Sequence, residues 1–193
     1  MARPAVKKAK IEEAAIRLFA TRGLARTTIK DIASLAGVAE GALYRHYRGK
    51  NDMAWQLYCR EVQRFSEPLG AILFERAQPF AERLRRAIRF ICRYYQDQPI
   101  AFSFILLTQH GFPGERLLDE NRNPFDMAVR FVREEMRRRS VPKGDPAVLA
   151  AMLMGTVLQP LVMHRYGRLR QKPVSLAAKI AAACQRMLKG SSQ

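Results

Sequence analysis

Cysteine is scarce in this chain of 193 residues, and the three that occur are scattered. Cys59, Cys92 and Cys184 form no C-x-x-C pair, and their number is odd. Disulfide frameworks use even sets of cysteines, and structural zinc sites use closely spaced pairs. The pattern argues against both kinds of site and favours a reducing compartment. The sequence therefore predicts a cytoplasmic protein with no bound metal.

Acidic residues are also few, because 17 Asp and Glu stand against 34 Lys and Arg, a formal net charge of +17. Such an excess favours a polyanionic partner, and nucleic acid is the first candidate. Residues 1–60 hold 12 basic and five acidic residues, and the remaining 22 and 12 are spread along the rest of the chain. The C-terminal excess is either ordinary solvated helix surface or a second basic surface that attracts DNA or an anionic ligand.

Strand patterns, internal repeats and catalytic signatures are missing. The chain has no alternating β-branched run, no repeat of 20–50 residues, and no nucleophile-elbow, phosphate-loop or metalloprotease motif. The remaining pattern is helical from end to end, with breaks at proline and glycine. The sequence predicts an all-α fold of about nine helices, and it gives no support to an enzyme or to a bound cofactor.

One apolar run raises the question of a membrane span. Residues 146–163 carry no charge and are long enough to cross a bilayer. Gly155, Gln159 and Pro160 interrupt the run, however, and Arg165 follows it. A helix buried between protein neighbours is the preferred interpretation, so no membrane partner is expected.

The breakers divide the chain into predicted helices. Asn51 is expected to cap the fourth helix, Pro68 and Gly70 to loosen the connection after it, and Pro160 to kink a later one. The predicted ranges are about 6–21, 28–36, 39–47, 51–65, 80–96, 100–109, 124–139, 146–166 and 174–188.

The segment 27–50 carries the most information. Thr28 is able to cap a helix, and Asp31, three residues later, is placed to reach back as in a capping box. Gly37 follows where a chain leaving a helix often needs a positive φ. A second short helix then buries Leu43 and Tyr47. This layout predicts a helix-turn-helix, whose second helix enters the DNA major groove.

Over about residues 8–60 the chain resembles the tetracycline repressor (TetR) family of transcription regulators. The matching residues are Ala14-Ala15-Ile16-Arg17-Leu18-Phe19, Gly23, Thr27-Thr28-Ile29, Ile32-Ala33, Ala36-Gly37-Val38, Gly41, Leu43-Tyr44, His46-Tyr47 and Lys50. The resemblance implies an all-α homodimer that binds operator DNA and responds to a small molecule. The expected division is a DNA-binding domain at 1–50 and a helical effector-binding and dimerisation domain at 51–193. A helix at about 51–65 connects them.

DNA contacts fall into two groups, those that position the protein and those that specify the sequence. For positioning, the resemblance points to Thr27, Thr28, Tyr44, His46 and Lys50. Base reading is expected from the second helix, where Arg45 is a natural partner of guanine and Ala42 of a thymine methyl. Glu40 and Gly41 are the other candidates for base reading, and Lys30 and Ala39 are also expected at the DNA. Ala39 and Ala42 stand where many family members have Ser or Thr, which leaves Arg45 and Lys30 as the main polar readers.

The effector site is far less determined by the sequence. The central helices offer much apolar surface with polar groups at its edges, as a small lipophilic effector requires. The residues assigned to such a site are Tyr95, Phe102, Leu106, Gln109, Met152 and Gln159. Ordinary core packing explains the same residues. The neighbouring arginines leave open a carboxylate, a phosphate or a coenzyme A group on the ligand.

The last two helices predict a dimer. Apolar residues recur there at helical spacing, and the alanines between them permit close approach of two helices. The predicted interface consists of Leu149, Leu153, Thr156, Leu176, Ile180, Ala183 and Met187. The leading hypothesis is a ligand-responsive repressor that binds a palindromic operator as a homodimer. The alternative is an architectural protein that binds DNA without sequence preference and without an effector.

Overall fold

The computed structural model describes residues 4–107 and 123–189, and every regular element within these ranges is helical. The predicted all-α fold is confirmed. The helices are α1 (Pro4–Arg22), α2 (Ile29–Ala36), α3 (Gly41–Tyr44), α4 (Lys50–Leu73), α5 (Phe80–Asp97), α6 (Pro99–Phe102), α7 (Pro124–Arg137), α8 (Pro146–Arg165) and α9 (Pro173–Lys189). A single π-helical turn, Ser103–Leu107, continues α6.

The chain separates into two compact units. The first is drawn from Met1–Glu61 and Gln98–Leu117, and the second from Val62–Asp97 and Leu118–Gln193. The helix α4 therefore contributes to both units, and the segment 98–107 packs with the N-terminal helices although it lies far along the chain. The predicted division at residue 50 follows chain order, whereas this division follows packing.

The core of the first unit forms where α1, α2 and the segment 98–107 meet. Ile11, Phe19 and Ile32 are fully buried. The ring of Phe104 stacks on Phe19 with 6.0 Å between centroids, and it also meets the ring of Tyr58 edge-on at 6.1 Å. Burial of large aromatic side chains is the dominant stabilising contribution at such a junction. The segment after α5 thus helps to hold the N-terminal helices.

The helix α4 is longer than predicted. It begins at Lys50, so the predicted capping role of Asn51 is wrong, and it runs through Pro68 to Leu73. A proline inside a helix removes one backbone hydrogen bond, which a long, well-packed helix tolerates at a cost. Gly70 does not loosen this segment. A Cβ at residue 70 would lie 3.1 Å from the terminal methyl of Met127, so glycine permits close packing of α7 on α4.

An ion pair lies inside the second unit. Arg83 and Glu135 are 2% and 0% exposed, and 2.7 Å separates Nη2 of the arginine from Oε1 of the carboxylate. The same guanidinium donates to the carbonyls of Leu73 and Gln78, at 2.7 and 3.0 Å. Buried charges are stable only when they are paired and hydrogen-bonded, and this group meets both conditions. The pair joins the end of α4 to α5 and α7.

The helix α5 packs most extensively against α9. Cys92 of α5 and Cys184 of α9 are buried free thiols, and burial raises the pKa of each to about 11. A thiol with so high a pKa is almost entirely protonated at neutral pH and is a poor nucleophile. These cysteines act as small apolar side chains.

The helix α8 is apolar on more than one face. Among the residues that the structure describes, it alone is long and apolar enough to cross a membrane, a test that core helices also pass. Its buried residues are Ala150, Leu153, Val157 and Leu161. Val148 and Met152 are 55% and 50% exposed. The predicted burial between protein neighbours therefore holds for one face of α8 within a single chain.

Candidate nucleic-acid interface

The start of α2 is fixed by reciprocal hydrogen bonds between Thr28 and Asp31. The Asp31 backbone N–H donates to the Thr28 hydroxyl oxygen at 3.1 Å, and the Thr28 N–H donates to the Asp31 carboxylate at 2.8 Å. The Thr28 hydroxyl also donates to that carboxylate at 2.6 Å. These hydrogen bonds, with Arg22 nearby, hold the pKa of Asp31 below its usual value. The predicted capping box is confirmed.

The turn between α2 and α3 depends on Gly37. Its φ of 66° lies in the left-handed region, as predicted, and the following N–H, of Val38, donates to the Ala33 carbonyl at 3.0 Å. A Cβ at residue 37 would meet no atom within 4 Å, so the backbone conformation alone favours glycine. The chain thereby turns sharply into the second helix of the motif.

The second helix is shorter than the predicted range 39–47. Only Gly41–Tyr44 is α-helical. Turns closed by backbone hydrogen bonds between residues three positions apart precede and follow it. Glu40 occupies the capping position without a side-chain hydrogen bond to the backbone. An unstable isolated turn of this length needs tertiary support, which it receives from buried Leu43 and Tyr47.

The expected DNA-facing residues fall into three groups: exposed residues, one half-buried residue, and two residues whose side chains bond to the protein's own backbone. Tyr44 is 60% exposed, and Arg45 and His46 beside it are exposed as well. The other exposed members of the set are Thr28, Lys30, Ala39, Glu40 and Gly41, and Ala42 is half-buried. The third group, Thr27 and Lys50, has partners inside the protein.

Thr27 and Lys50 hold the loop between α1 and α2. The Thr27 side chain is fully buried, and its hydroxyl donates to the Gly23 carbonyl at 2.8 Å. The Lys50 ammonium donates to the Leu24 carbonyl at 2.9 Å. A buried hydroxyl with this partner is not presented to a phosphate, so a phosphate contact from the Thr27 side chain receives no support. Lys50 orders the loop that precedes the Thr28 cap, whatever contact its remaining protons make.

A polar cluster under the motif was not foreseen from the sequence. The Tyr47 hydroxyl donates to Glu12 Oε1 at 2.6 Å, and Arg60 Nη1 pairs with Glu12 Oε2 at 2.6 Å. Burial raises the pKa of Tyr47, and the Glu12 hydrogen bond raises it further. For Glu12, burial alone would raise the pKa, but the bonds from Tyr47 and Arg60 outweigh it and lower the pKa. The cluster holds together α1, the turn after α3 that contains Tyr47, and α4.

The signal for this cluster was present but ambiguous. Glu12 lies on a predicted helix whose other charged residues are solvated, and charged residues on a helix usually face water. Tyr47 was predicted to be buried, and a buried tyrosine hydroxyl usually finds a partner. Nothing local in the sequence says that the partner is 35 positions away.

The residues proposed to line an effector site are divided between the two compact units. Phe102 is fully buried and Leu106 half-buried in the first unit, whereas Tyr95, Met152 and Gln159 belong to the second. Met152 and Gln159 lie on the exposed side of α8. Gln109 lies outside the described residues. Among the described members of this set, Tyr95 alone is both buried and polar, and its hydroxyl lies 3.2 Å from His164 Nδ1.

The residues of the predicted dimer seam differ in how deeply they are buried. Leu153 and Ile180 are 7% and 6% exposed, because they pack inside the second unit. The half-buried members are Leu149, Thr156, Leu176, Ala183 and Met187. The Thr156 hydroxyl lies 4.0 Å from the Met187 sulfur, so part of the seam joins α8 to α9 of the same chain. The exposed apolar face of α8 contains Val148 and Met152 instead.

Across residues 4–107 and 123–189, no set of three or more His, Cys, Asp or Glu side chains is placed to hold a metal ion. The candidate site is the exposed surface of the helix-turn-helix, whose geometry suits nucleic acid.

Known proteins share both this motif and the remaining helices. A family profile, bacterial regulatory proteins of the tetR family, matches residues 11–56. The transcriptional regulator TtgR of Pseudomonas putida is 52% identical over 50 residues, which is 26% of this chain and 24% of TtgR. The match thus spans about a quarter of that relative. The nucleoid occlusion factor SlmA of Vibrio atlanticus is 30% identical over 147 residues, 72% of this chain and 74% of SlmA.

A solved structure extends the likeness to the whole fold. The transcriptional regulator FadR of Bacillus subtilis, determined in complex with stearoyl-CoA, superposes with a TM-score of 0.75. The alignment covers 95% of this chain and 98% of FadR at 18% identity, and so shows a shared fold. Fold and motif define an all-helical protein with an N-terminal helix-turn-helix. The chain belongs to the tetR family of bacterial regulatory proteins.

Proposed function

We propose that this protein is a sequence-specific transcription regulator, a repressor that binds a palindromic operator as a homodimer and responds to a lipophilic small molecule. The observation that carries the proposal is the contrast between buried and exposed residues in the second helix and in the turn that follows it. Leu43 and Tyr47 are buried, whereas Tyr44, Arg45 and His46 between them are exposed. A helix held in this way presents a fixed set of side chains to a major groove.

The exposed residues suit different contacts. Arg45 is the natural base reader, since its guanidinium can donate two hydrogen bonds to guanine O6 and N7. Tyr44 and His46 are suited to phosphate oxygens, as is Thr28 at the start of α2, where backbone N–H groups and the helix dipole attract anions. Lys30 is the second candidate reader. Glu40, Gly41 and the small Ala39 and Ala42 shape the approach to the groove.

The dimer is supported by the uncovered side of α8. Val148 and Met152 are large apolar side chains that are at least half exposed in the single chain. Gly155, about one helical turn further along α8, is exposed too. Contiguous exposed apolar surface marks an interaction site, and a second copy covers it symmetrically. We infer that this face, rather than Leu153 and Ile180, forms the centre of the interface.

The effector is proposed to bind in the second unit. Tyr95 and His164 form a polar pair between α5 and α8, and both helices also carry buried apolar residues. An apolar site with a few polar groups suits a lipophilic ligand. Long-chain acyl-CoA is the first class to test, because FadR was determined with stearoyl-CoA. Binding can alter DNA affinity only by the ligand's differential affinity for two conformations.

The test begins with selection of duplexes from a random pool by the wild-type protein, which should yield a palindromic site. Arg45→Ala should then cost about 1–3 kcal/mol at that site and relax the preference at one base pair per half-site. Arg48→Ala removes an exposed arginine that is not a candidate for base reading, and it is the matched control. It should weaken the binding of all DNA sequences alike. Stearoyl-CoA added to the wild-type complex should change its affinity.

Two results would contradict parts of the proposal. If excess long competitor DNA removes all binding to the selected site, the protein is the non-specific architectural alternative. If Arg45→Ala retains the full base preference, another residue reads the operator.

Nucleoid occlusion is a second candidate function. The longest match among the relatives described above is to SlmA, a nucleoid occlusion factor, and it extends well beyond the helix-turn-helix. Mapping of bound sites on the chromosome separates the two functions. A regulator should occupy a few promoters, whereas many sites distributed along the chromosome would favour occlusion.

A further inference from the structure

The C-terminal hairpin of the chain contains no acidic residue. After Asp145, the last carboxylate, residues 146–193 hold seven Lys and Arg and neither Asp nor Glu. The basic residues are Arg165, Arg168, Arg170, Lys172, Lys179, Arg186 and Lys189. Four of them fall within eight positions around the connection from α8 to α9. An ordinary solvated surface mixes both signs of charge, so this concentration calls for a separate explanation.

The connection, residues 166–172, is an ordered turn. Gly167 has a φ of 70°, and the N–H groups of Gly167 and Arg168 donate to the carbonyls of His164 and Met163, both at 2.9 Å. This is the left-handed ending that glycine commonly gives a helix. At the other end, the backbone N–H and the hydroxyl of Ser175 donate to the Lys172 carbonyl at 2.9 and 2.7 Å. Both ends of the turn are therefore fixed.

The order of the turn determines where its side chains lie. Arg168, Arg170 and Lys172 are exposed, and none of the three forms an ion pair within the described part of the chain. Leu169 is half-buried, so it anchors the turn between the two arginines. Tyr166, 70% exposed, stands beside them. A pre-ordered set of cations loses less entropy on binding an anion than a disordered basic tail does.

We propose that the turn Tyr166–Lys172 binds the sugar–phosphate backbone of double-stranded DNA. It adds contacts that are independent of sequence to those of the helix-turn-helix, and in this it rests on the proposed function. Arginine and lysine heads supply the donors that phosphate oxygens accept, and an exposed tyrosine hydroxyl is a further phosphate donor. Each neutralised phosphate releases counterions and thus strengthens binding at low salt.

An anionic membrane is the competing partner for a basic surface. Membrane association needs apolar side chains beside the cations. The exposed apolar residues Val148 and Met152 lie near the other end of α8, about 21 Å or more from Tyr166 at a rise of 1.5 Å per residue. They do not form one amphipathic patch with the turn. Leu169 is partly withdrawn, so the geometry favours phosphates on a duplex over a lipid surface.

The experiment uses the full chain and a fluorescent 30-base-pair duplex without an operator. The triple variant Arg168→Gln, Arg170→Gln, Lys172→Gln is compared with Arg89→Gln, Arg93→Gln, Arg133→Gln, which removes three exposed charges from α5 and α7. Affinity is measured against salt concentration. In the turn variant, the negative slope of log K against log salt should become shallower. Its magnitude should fall by about 0.9 for each phosphate that the turn no longer neutralises, up to about 2.7 per chain. The control should change the slope much less.

Three outcomes would overturn the proposal. Equal slopes in the two variants would mean that only the overall charge matters, and an unchanged slope in the turn variant would mean that the turn does not touch DNA. Binding of the wild type to phosphatidylglycerol vesicles, abolished in the turn variant while its DNA slope is retained, would assign the turn to membranes. A wild type that binds no duplex at all would instead contradict the proposed function.

Discussion

At the scale of single residues, the hydrogen bond from Tyr47 to Glu12 gives a sharp prediction. Tyr47→Phe keeps the buried ring and removes the hydroxyl, so it leaves Glu12 with one partner fewer. Hydrogen bonds to charged groups contribute about 1.5–3 kcal/mol, and we expect a loss of that order in the free energy of unfolding measured with urea. Tyr44→Phe, at an exposed tyrosine three residues away, is the control and should have no measurable effect.

The same cluster predicts a dependence of stability on pH. The folded state holds the pKa of Glu12 below its ordinary value, so the carboxylate stabilises the fold above the unfolded pKa, and this contribution is lost as the pH falls through the folded pKa. Urea unfolding of the wild type and Glu12→Gln should therefore differ most at neutral pH and converge in acid. A constant difference from pH 7 to pH 3 would contradict the assigned role.

The position of the helix-turn-helix could be predicted from the sequence better than the role of each residue within it. Thr28, Asp31 and Gly37 act locally, through neighbours within a few positions, and their roles were predictable. Lys50 bonds to a carbonyl 26 positions away, so its part in the loop could not be deduced from spacing.

At the scale of elements, the turn between α2 and α3 can be tested with two glycines. Gly37→Ala forces a Cβ into a left-handed conformation and should cost about 1–2 kcal/mol, although no atom obstructs it. Gly41→Ala, at a helical position with equally open space, should be neutral or stabilising by about 0.5–1 kcal/mol. Urea midpoints of the two variants provide the comparison. Equal destabilisation would show that the positive φ does not matter here.

Element boundaries were predictable where a cap or proline marks them and poorly predictable elsewhere. The side chains of Asn123 and Asp145 accept hydrogen bonds from backbone N–H groups at the starts of α7 and α8. Each of the two residues precedes a proline that opens the helix, and both helices begin where expected. Periodicity failed on α8 for a physical reason. An amphipathic stripe identifies the buried face only when the other face is polar, and Met152 and Leu153 are equally apolar although one is exposed and the other buried.

At the scale of the whole molecule, the fold was predictable, whereas the effector site stays a prediction. Helical periodicity and breakers act along the chain and give the number and order of helices. A ligand site depends on which helices meet, and residues 98–107 belong to the first unit. No local pattern assigns this segment to one unit or the other, because Phe102 and Leu106 are suited to either core.

Assembly gives the last prediction, which proposes a different centre for the dimer interface. Met152→Glu places a charge on the exposed face of α8 and should dissociate the dimer while the monomer stays folded, because an unpaired charge cannot be buried cheaply. Leu153→Ala removes a side chain packed inside the unit and should instead cost about 2–5 kcal/mol of unfolding free energy. Sedimentation at micromolar concentration and thermal melts followed by circular dichroism separate the two effects. A wild type that sediments as a monomer, or a Met152→Glu variant that remains dimeric, would show that this face of α8 is not the interface.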